Sequence, residues 1–302
     1  MTDGFRASII LNDMNRTQEA AYGFRSWVLQ DVEEPYEVVL NLFNDRMSVF
    51  EALAAGQNPK CRCRIRSYRP PQFFNIAAAN NIGLAQADGQ YVLFANSDII
   101  YPNNYLRVLV GELTRRDLCY VLGARVNLTQ DETASLRAPL DLTNFDFLNS
   151  SKGQVAVGFG SPWTIRRDVA LQIGGFDSKV LCHEDSEFND RVIHFLRRKG
   201  LQAFIYAASD MVGYHLHHAA SELYSLSELS RAILEPRRER LQHQPESSED
   251  VVSTRLADLE QLLRDLYDTP VPTAGLRSQR LTGMIGRRLC GTVQYLLHGS
   301  AK

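Results

Sequence analysis

Residues 73–101, FFNIAAANNIGLAQADGQYVLFANSDIIY, decide the fold of this 302-residue chain. They predict a helix, a turn and then the strand Tyr91–Ala95, an apolar run typical of a strand buried on both faces of a parallel sheet. This strand leads into the polar triplet Asn96–Asp98. Open α/β sheets bind ligands beyond the carboxyl ends of their strands, where Asp98 offers the hard oxygen that Mg²⁺ or Mn²⁺ prefers. The alternative, favoured by the triplet alone, is that it caps a helix over residues 102–115.

The bulk composition excludes several classes of protein. Hydrophobic residues make up 44% of the chain, enough for one large domain and an appendage. The formal net charge of −2 gives no basic field for nucleic acid. The five cysteines form no CxxC pair, which favours reduced thiols. We find neither a secretory signal nor a run long enough to span a membrane, so we expect a cytoplasmic protein.

The N-terminal part alternates between strand and helix patterns. The apolar segments Ala7–Leu11 and Tyr36–Phe43 and the basic segment Cys63–Tyr68 predict three strands, separated by helices from Thr17 and over Ser48–Ala55. A β-α-β-α-β order implies a parallel sheet with right-handed crossovers, similar to half of a nucleotide-binding fold. The chain has neither GxGxxG nor GxxxxGK[ST], so any nucleotide is bound without a glycine-rich phosphate loop.

Later motifs follow in a recognisable order. They are Asn81-Ile82-Gly83, then Ala87-Asp88-Gly89 before the strand, the Asp-x-Asp-like triplet, Gly174-Gly175-Phe176-Asp177 and finally Glu184-Asp185. In this order the chain resembles the family 2 glycosyltransferases over about residues 5–225. The resemblance implies an α/β fold of GT-A type, a Rossmann-like, mostly parallel sheet flanked by helices. We expect this domain to span residues 1–228, with a C-terminal α-helical extension over 229–302.

The resemblance also implies the chemistry. In this family the last Asp of the triplet, here Asp98, is the usual direct metal ligand, and a later histidine, best matched by His215, supplies another. Asn96 and His217 are further candidates, since His217 shares a face with His215 in an extended segment. The alternative for His217 and its neighbour His218 is acceptor binding or a helix cap. A mixed nitrogen and oxygen site suits Mn²⁺ or Mg²⁺.

The acidic pair Glu184-Asp185 would act on the acceptor. By the motif, Asp185 is the general base that deprotonates an acceptor hydroxyl and Glu184 binds the acceptor beside it. The alternative is an acid-rich helix N-terminus favoured by the helix dipole. Trp163 and Gly175 are the remaining acceptor candidates; Trp163 would stack on a sugar from a loop with Gly158 and Gly160, or else be an ordinary core tryptophan. The donor candidates share positions at strand ends and motif helices: Asn12, Asp13, Asn15, Asn44, Asn81, Asn96, Ser97 and Asp98.

The implied activity is a metal-dependent, hexosyltransferase-like inverting glycosyltransferase. It would move a sugar from a nucleotide-diphospho-sugar to a saccharide or lipid-linked acceptor in bacterial-type polysaccharide or glycoconjugate synthesis. A UDP-sugar is the leading candidate for the donor. Two alternatives remain. A sugar nucleotidyltransferase usually has a glycine-rich loop after strand one, which residues 12–16 lack. A degenerate binding or scaffold subunit would explain the departures from the family pattern at Asn12-Asp13-Met14, Asn80 and Asn96.

The C-terminal part predicts helices. Residues 223–241, 251–267 and 276–298 carry helical patterns, and the last is basic and amphipathic. Such a helix either packs on the catalytic domain or a partner subunit, or lies on an anionic membrane as a peripheral contact at its inner face.

Overall fold

The computed structural model describes residues 4–55, 58–136, 154–157, 162–205, 211–218 and 259–269. Its larger sheet has seven strands, parallel except for one that runs antiparallel to both of its neighbours. A second sheet of four strands covers one end. In spatial order the larger sheet contains β10 (Ala203–Ile205), β6 (Tyr120–Leu122), the antiparallel β9 (Trp163–Arg166), β4 (Tyr91–Phe94), β1 (Ala7–Asp13), β2 (Tyr36–Leu42) and β3 (Cys61–Ser67). The smaller contains β5 (Ile99–Ile100), β11 (Val212–His215), β7 (Ala124–Asn127) and β8 (Gln154–Val157).

Helices flank the larger sheet, as the alternating pattern predicts. None of the helices in the described ranges is long and apolar enough to cross a membrane. In chain order they are α1 (Thr17–Val28), α2 (Met47–Ala54), α3 (Ile76–Gln86), α4 (Tyr105–Arg116), α5 (Gln130–Ser135), α6 (Arg167–Gln172), α7 (Glu184–Lys199) and α8 (Leu259–Tyr267).

The central strands are buried on both faces, which explains their apolar sequences. Every residue of β1 and β2 is buried. Side chains such as Ile9 join α1 and α4 in one apolar layer, whereas Ile10 faces a second layer that includes residues of α3, α6 and α7. These two layers and the mostly parallel sheet give the predicted α/β architecture.

The apolar segment over residues 120–126 contains two strands that lie in different sheets. β6 lies in the larger sheet, β7 lies in the smaller one, and Gly123 stands between them. The Gly123 N–H donates to the Pro162 carbonyl at 3.1 Å. A Cβ on Gly123 would lie 2.8 Å from the Tyr105 hydroxyl, so only glycine fits without a shift. The apolar pattern continues through this point, and therefore it did not reveal the change of sheet.

α8 packs against α3 and forms the described part of the C-terminal extension. Leu262 and Leu266 are buried against Ala78 and Ile82 of α3. The Ser178 hydroxyl donates to Asp265 at 2.9 Å and adds a polar contact. This confirms a helix within the predicted span 251–267. The helices predicted over 223–241 and 276–298 lie outside the described residues.

Candidate active site

Asp98 lies at the carboxyl edge of the larger sheet, between β4 and β5. Its side chain is buried, with Oδ2 3.0 Å from Nε2 of His218 and Oδ1 3.5 Å from Nε2 of His215. The Asp98 carbonyl accepts from the Leu216 N–H at 3.0 Å, which fixes the histidine segment against the triplet. Burial raises the pKa of Asp98, but the imidazoles of His215 and His218 outweigh it and hold the pKa far below its usual range.

His218, rather than His217, completes this cluster. β11 ends at His215, and the chain then turns, so that Nε2 of His218 lies 3.3 Å from Nε2 of His215. His217 is exposed and its backbone N–H donates to the Thr133 hydroxyl at 2.8 Å. The prediction that His217 shares a face with His215 was wrong because it assumed that the strand continues.

The cluster fits a divalent cation. The candidate ligand atoms of Asp98, His215 and His218 all lie within 4.8 Å of one another. Within the described part of the chain, Oδ1 of Asp98 is buried and makes no hydrogen bond beyond the 3.5 Å approach of the His215 imidazole, and a buried carboxylate oxygen of this kind is costly unless a further group satisfies it. One carboxylate and two imidazoles form the mixed donor set that suits Mn²⁺. Asn96 is half-buried beside the cluster, and its role as a ligand remains a prediction.

The helix-cap alternative for the triplet is wrong. Residues 99–100 continue as β5, and α4 begins only at Tyr105. The N-cap residue of α4 is Asn104, which makes no side-chain cap hydrogen bond. The Asp98 carboxylate therefore faces the histidines instead of a helix end.

Arg16 is a member of the site that the sequence patterns did not indicate. Its Nη1 lies 2.6 Å from Oδ2 of Asp98 and 2.9 Å from Nε2 of His218. Arg16 is the N-cap residue of α1, and its backbone N–H donates to Oδ1 of Asp13 at 3.0 Å. It is thus placed by the turn that follows β1, which brings it to a carboxylate 82 positions away.

The acidic pair begins α7. His183 precedes it with a φ of 60°, a left-handed conformation that is strained for a residue with a side chain. Both carboxyl groups are half-buried. Burial and the charge of Asp185 raise the pKa of Glu184 to about 8. Burial also raises the pKa of Asp185, although the Ser186 N–H, which donates to Oδ1 at 2.7 Å, favours its ionised form.

Aromatic packing joins the acidic pair to the Asp98 cluster. Phe188, one turn along α7, packs edge-on against Phe94 with ring centroids 5.7 Å apart. Phe94 ends β4, just before the triplet that contains Asp98. Arg125 on β7 adds an electrostatic link, because its charge partly offsets the burial that raises the pKa of Asp185, and its strand pairs with β11. In the sequence, Arg125 is only one of the less buried positions in the alternating pattern of β7.

The Asp13 carboxylate holds the turn after β1. It is 2% exposed, and its oxygens accept from the Arg16 N–H at 3.0 Å and from Asn44 Nδ2 at 2.9 Å. Burial raises its pKa despite these hydrogen bonds. The Asp13 carboxylate therefore stabilises the conformation of the turn that follows β1. Asn15 is exposed in that turn, and direct donor contact by Asn15 or Asn44 remains a prediction.

Asn12 belongs to a buried amide chain at the ends of β1 and β2. Its Nδ2 donates to Oδ1 of Asn80 at 2.7 Å, and its Oδ1 accepts from Asn41 at 3.0 Å. The Asn41 Oδ1 in turn accepts from Gln86 at 3.1 Å. Asn12 and Asn80, two of the departures from the family pattern, are thus hydrogen-bonded to each other.

Two acceptor candidates, Trp163 and Gly175, lie in structural positions. Trp163 is 3% exposed and stacks on Phe188 with centroids 5.8 Å apart, so it is the core tryptophan of the alternative and not a sugar platform. Gly158 and Gly160 lie outside the described residues. Gly175 has a φ of 67° and forms a turn after α6, and its carbonyl accepts from Arg191 at 2.7 Å.

The remaining donor candidates, Asn81 and Ser97, lie on either side of β4. Asn81 is buried and engages the backbone of Phe176. Ser97 is half-buried, and its carbonyl faces Gly23 of α1. Donor contact by Ser97 remains a prediction.

Solved structures share this architecture, which is the GT-A glycosyltransferase fold. S. aureus TarS in complex with UDP-GlcNAc superposes with a TM-score of 0.59 at 13% identity, covering 87% of this chain and 73% of that chain. The mannosyltransferase PcManGT from Pyrobaculum calidifontis, in complex with GDP-Man and Mn²⁺, superposes with a TM-score of 0.53 at 16% identity, covering 98% and 81%.

The sequence comparisons agree with the fold. Residues 52–174 match the model of glycosyl transferase family 2. The O-antigen biosynthesis protein RfbC of Myxococcus xanthus is 26% identical over 166 residues, which are 49% of this chain but only 12% of that protein. The resemblance to the family 2 glycosyltransferases found in the motifs is confirmed over residues 52–174.

Proposed function

We propose that this protein is an inverting glycosyltransferase. It would move a sugar from a nucleotide-diphospho-sugar to an acceptor hydroxyl with the help of a divalent cation. The observation that carries the proposal is a pair of side-chain clusters that the Phe94–Phe188 contact links. Asp98, His215 and His218 form a cation site, and Glu184 with Asp185 begins a helix whose Phe188 packs beside that site.

The cation site would receive the diphosphate end of the donor. Asp98 would hold the cation together with His215 and His218, and a bound cation would neutralise charge on the departing diphosphate. TarS is described with UDP-GlcNAc, and PcManGT with GDP-Man and Mn²⁺. We infer the same donor class here, with the turn after β1 beside the nucleotide.

The acidic pair would activate the acceptor. A sugar hydroxyl is a weak nucleophile until its proton has an acceptor within hydrogen-bond reach. Asp185 would take that proton: burial raises its pKa and makes it a stronger base, while the Ser186 N–H and the charge of Arg125 partly offset the burial and favour its ionised form. Glu184, whose pKa is raised to about 8, would be protonated at neutral pH and donate a hydrogen bond to the acceptor. Attack opposite the leaving diphosphate inverts the anomeric centre in one displacement.

The acceptor would be a saccharide, free or lipid-linked. RfbC is named for O-antigen biosynthesis, and we infer a related polysaccharide or glycoconjugate pathway. The chain spans a small part of that protein, so this inference extends only to the class of acceptor.

The decisive experiment compares Asp185→Asn with Asp190→Asn, a matched carboxamide substitution on the same helix. We first identify the nucleotide by thermal shift with UDP, GDP, TDP and CDP, each with and without Mn²⁺. Donor turnover should then fall about 100-fold or more in Asp185→Asn, since general base catalysis contributes on that order, and change little in Asp190→Asn. NMR of the product should show an inverted anomeric centre. Turnover near the wild-type rate in Asp185→Asn contradicts the proposed base, and retained configuration contradicts the mechanism.

A further inference from the structure

The Arg16 guanidinium contacts the same atoms that would bind a cation. Its Nη1 is 2.6 Å from Oδ2 of Asp98 and 2.9 Å from Nε2 of His218, and both atoms belong to the candidate ligand set. A nitrogen lone pair or carboxylate oxygen directed at a guanidinium is not free to bind a metal ion. Arg16 and a cation therefore compete for at least two of the three ligand groups.

Electrostatic repulsion makes this competition stronger. A divalent ion held by Asp98 and His218 would lie within a few ångströms of the present guanidinium position. Like charges at that distance repel each other strongly when they are partly shielded from water. Two cations cannot share this site, so the Arg16 side chain has to leave when the cation binds.

The backbone of Arg16 keeps the displaced side chain close to the site. The Arg16 N–H donates to Asp13 at 3.0 Å, and its carbonyl accepts from the Ala20 N–H at 2.8 Å as the first turn of α1 begins. The side chain is already 33% exposed, so rotation about its own bonds is enough to bring the guanidinium into solvent. Arg16 would then stand at the positive N-terminal end of a 12-residue helix, beside the cation.

We propose that Arg16 is an exchangeable counter-ion of Asp98, released by the divalent cation to bind the diphosphate of the donor. This inference rests on the proposed function. Before cation binding, Arg16 compensates the buried Asp98 carboxylate, whose charge would otherwise be costly. After binding, its planar guanidinium forms paired hydrogen bonds with phosphate oxygens. Cation and nucleotide then bind cooperatively, because the cation itself binds the diphosphate and also releases Arg16 to bind it.

The test measures Mn²⁺ binding to the full chain without nucleotide, from the EPR signal of free Mn²⁺. The variants are Arg16→Ala, Asp98→Asn and Arg107→Ala. Arg107 is the matched control, because it is an exposed arginine that pairs with Asp31 at the opposite end of α1. We expect Arg16→Ala to bind Mn²⁺ roughly tenfold more tightly than the wild type, since its competitor is gone. Arg107→Ala should bind as the wild type does.

A second measurement follows the diphosphate. With Mn²⁺ saturating, UDP and GDP affinity is measured by calorimetry, and the better ligand should bind roughly tenfold more weakly to Arg16→Ala. Arg16→Lys keeps the positive charge but lacks the planar guanidinium and its paired hydrogen bonds, so it should recover only part of this loss. The cooperativity between Mn²⁺ and nucleotide should shrink in Arg16→Ala.

The outcomes separate this inference from the proposed function. If Mn²⁺ binds the wild type, fails to bind Asp98→Asn and binds Arg16→Ala no more tightly, the cation site stands and the exchange is overturned. If Asp98→Asn binds Mn²⁺ as the wild type does, the cation site itself is wrong, and the exchange falls with it. A tighter Mn²⁺ complex of Arg16→Ala without weaker nucleotide binding overturns the role of Arg16 at the diphosphate.

Discussion

Asn81 and Phe176 exchange two hydrogen bonds across 95 positions of the chain. The Asn81 Nδ2 donates to the Phe176 carbonyl and its Oδ1 accepts from the Phe176 N–H, both at 2.8 Å. The Asn81 side chain thereby forms the pair of hydrogen bonds that a neighbouring strand would form with the backbone of Phe176, which lies in an irregular turn. The contact joins the Asn-x-Gly motif on α3 to the Gly-Gly-Phe-Asp motif, and Phe176 then stacks on Phe188 of α7 at 4.1 Å.

We therefore predict that Asn81→Ala destabilises the domain by about 2 to 4 kcal/mol, because it leaves two buried backbone groups of Phe176 without partners. Urea unfolding followed by circular dichroism measures the change. Asn15→Ala, an exposed asparagine, is the control and should shift stability by less than about 0.5 kcal/mol. Equal unfolding midpoints for wild type and Asn81→Ala would show that the contact contributes nothing.

Gly23 sets the distance between α1 and the triplet. A Cβ at this position would lie 2.1 Å from the Ser97 carbonyl oxygen, so Gly23→Ala must push the helix and the triplet apart. We predict a loss of about 1 to 3 kcal/mol, as for other overpacked sites, together with weaker Mn²⁺ binding because Asp98 moves. Thermal unfolding and Mn²⁺ titration measure the two effects.

Gly111 is the matched control for Gly23, since it is also a helical glycine, but no atom of the described residues lies within 4 Å of an added Cβ there. Gly111→Ala should stabilise the protein by about 0.5 to 1 kcal/mol through helix propensity alone. The same sign of change in both variants would contradict the packing argument.

A charge network at the opposite end of the sheet surrounds the fully buried Glu37. Its carboxylate accepts from Arg62 at 2.5 Å, from the Ser8 hydroxyl at 2.6 Å and from the Asp88 N–H at 2.6 Å. We predict that Glu37→Gln costs about 3 kcal/mol, because the charge opposite Arg62 and Arg64 is lost inside the protein.

Asp88→Asn provides the comparison. Asp88 meets the same two arginines, but its side chain is 55% exposed, so its loss should cost no more than about 1 kcal/mol. Chemical denaturation of both variants gives the difference. The prediction fails if the exposed substitution costs as much as the buried one.

The raised pKa of Glu184 makes stability depend on pH. Its pKa moves from an ordinary 4.5 to about 8 on folding, so the native state holds this proton more tightly than the unfolded state. Its contribution is therefore fully present below about pH 4.5 and is lost as the pH rises through about 8. Glu184→Gln cannot ionise, so its stability relative to wild type should increase over that interval.

Urea unfolding at several pH values between 5 and 9 measures this difference. The activity profile offers a second measurement, because turnover should fall above about pH 8 in the wild type as Glu184 loses its proton, whereas Glu184→Gln should keep its activity at higher pH. A constant stability difference across the range would contradict the shifted pKa.

Local sequence patterns were enough to predict the sheet and several parts of the site. Continuous apolar runs, in place of the alternation of a half-buried strand, predicted β1, β2 and β4 as strands buried on both faces. The structure has fully buried strands at all three positions. The motif order predicted that Asp98 and His215 belong to one site, and Oδ1 of Asp98 lies 3.5 Å from Nε2 of His215. These predictions succeed because burial on both faces of a strand and the edge where strands end follow from residues close in the chain.

Other features depended on how distant segments pack. The choice of His218 over His217 follows from the turn after β11, and that turn is held by the Leu216 N–H against the Asp98 carbonyl. The burial of Trp163 follows from its place on β9 between β4 and β6. A tryptophan beside glycines has the same local sequence in a core as in a loop, so only its neighbours in space distinguish the two.

The sequence by itself determined the parallel α/β sheet, the resemblance to the family 2 glycosyltransferases and the position of the triplet at a strand end, because each depends on periodicity or motif order along the chain. Only the tertiary structure decided that Arg16 pairs with Asp98 and that Asn81 braces Phe176. The partners in these contacts are 82 and 95 positions apart. Each contact requires atoms to meet within about 3 Å, a distance that no local pattern encodes and that packing of helices on the finished sheet alone sets.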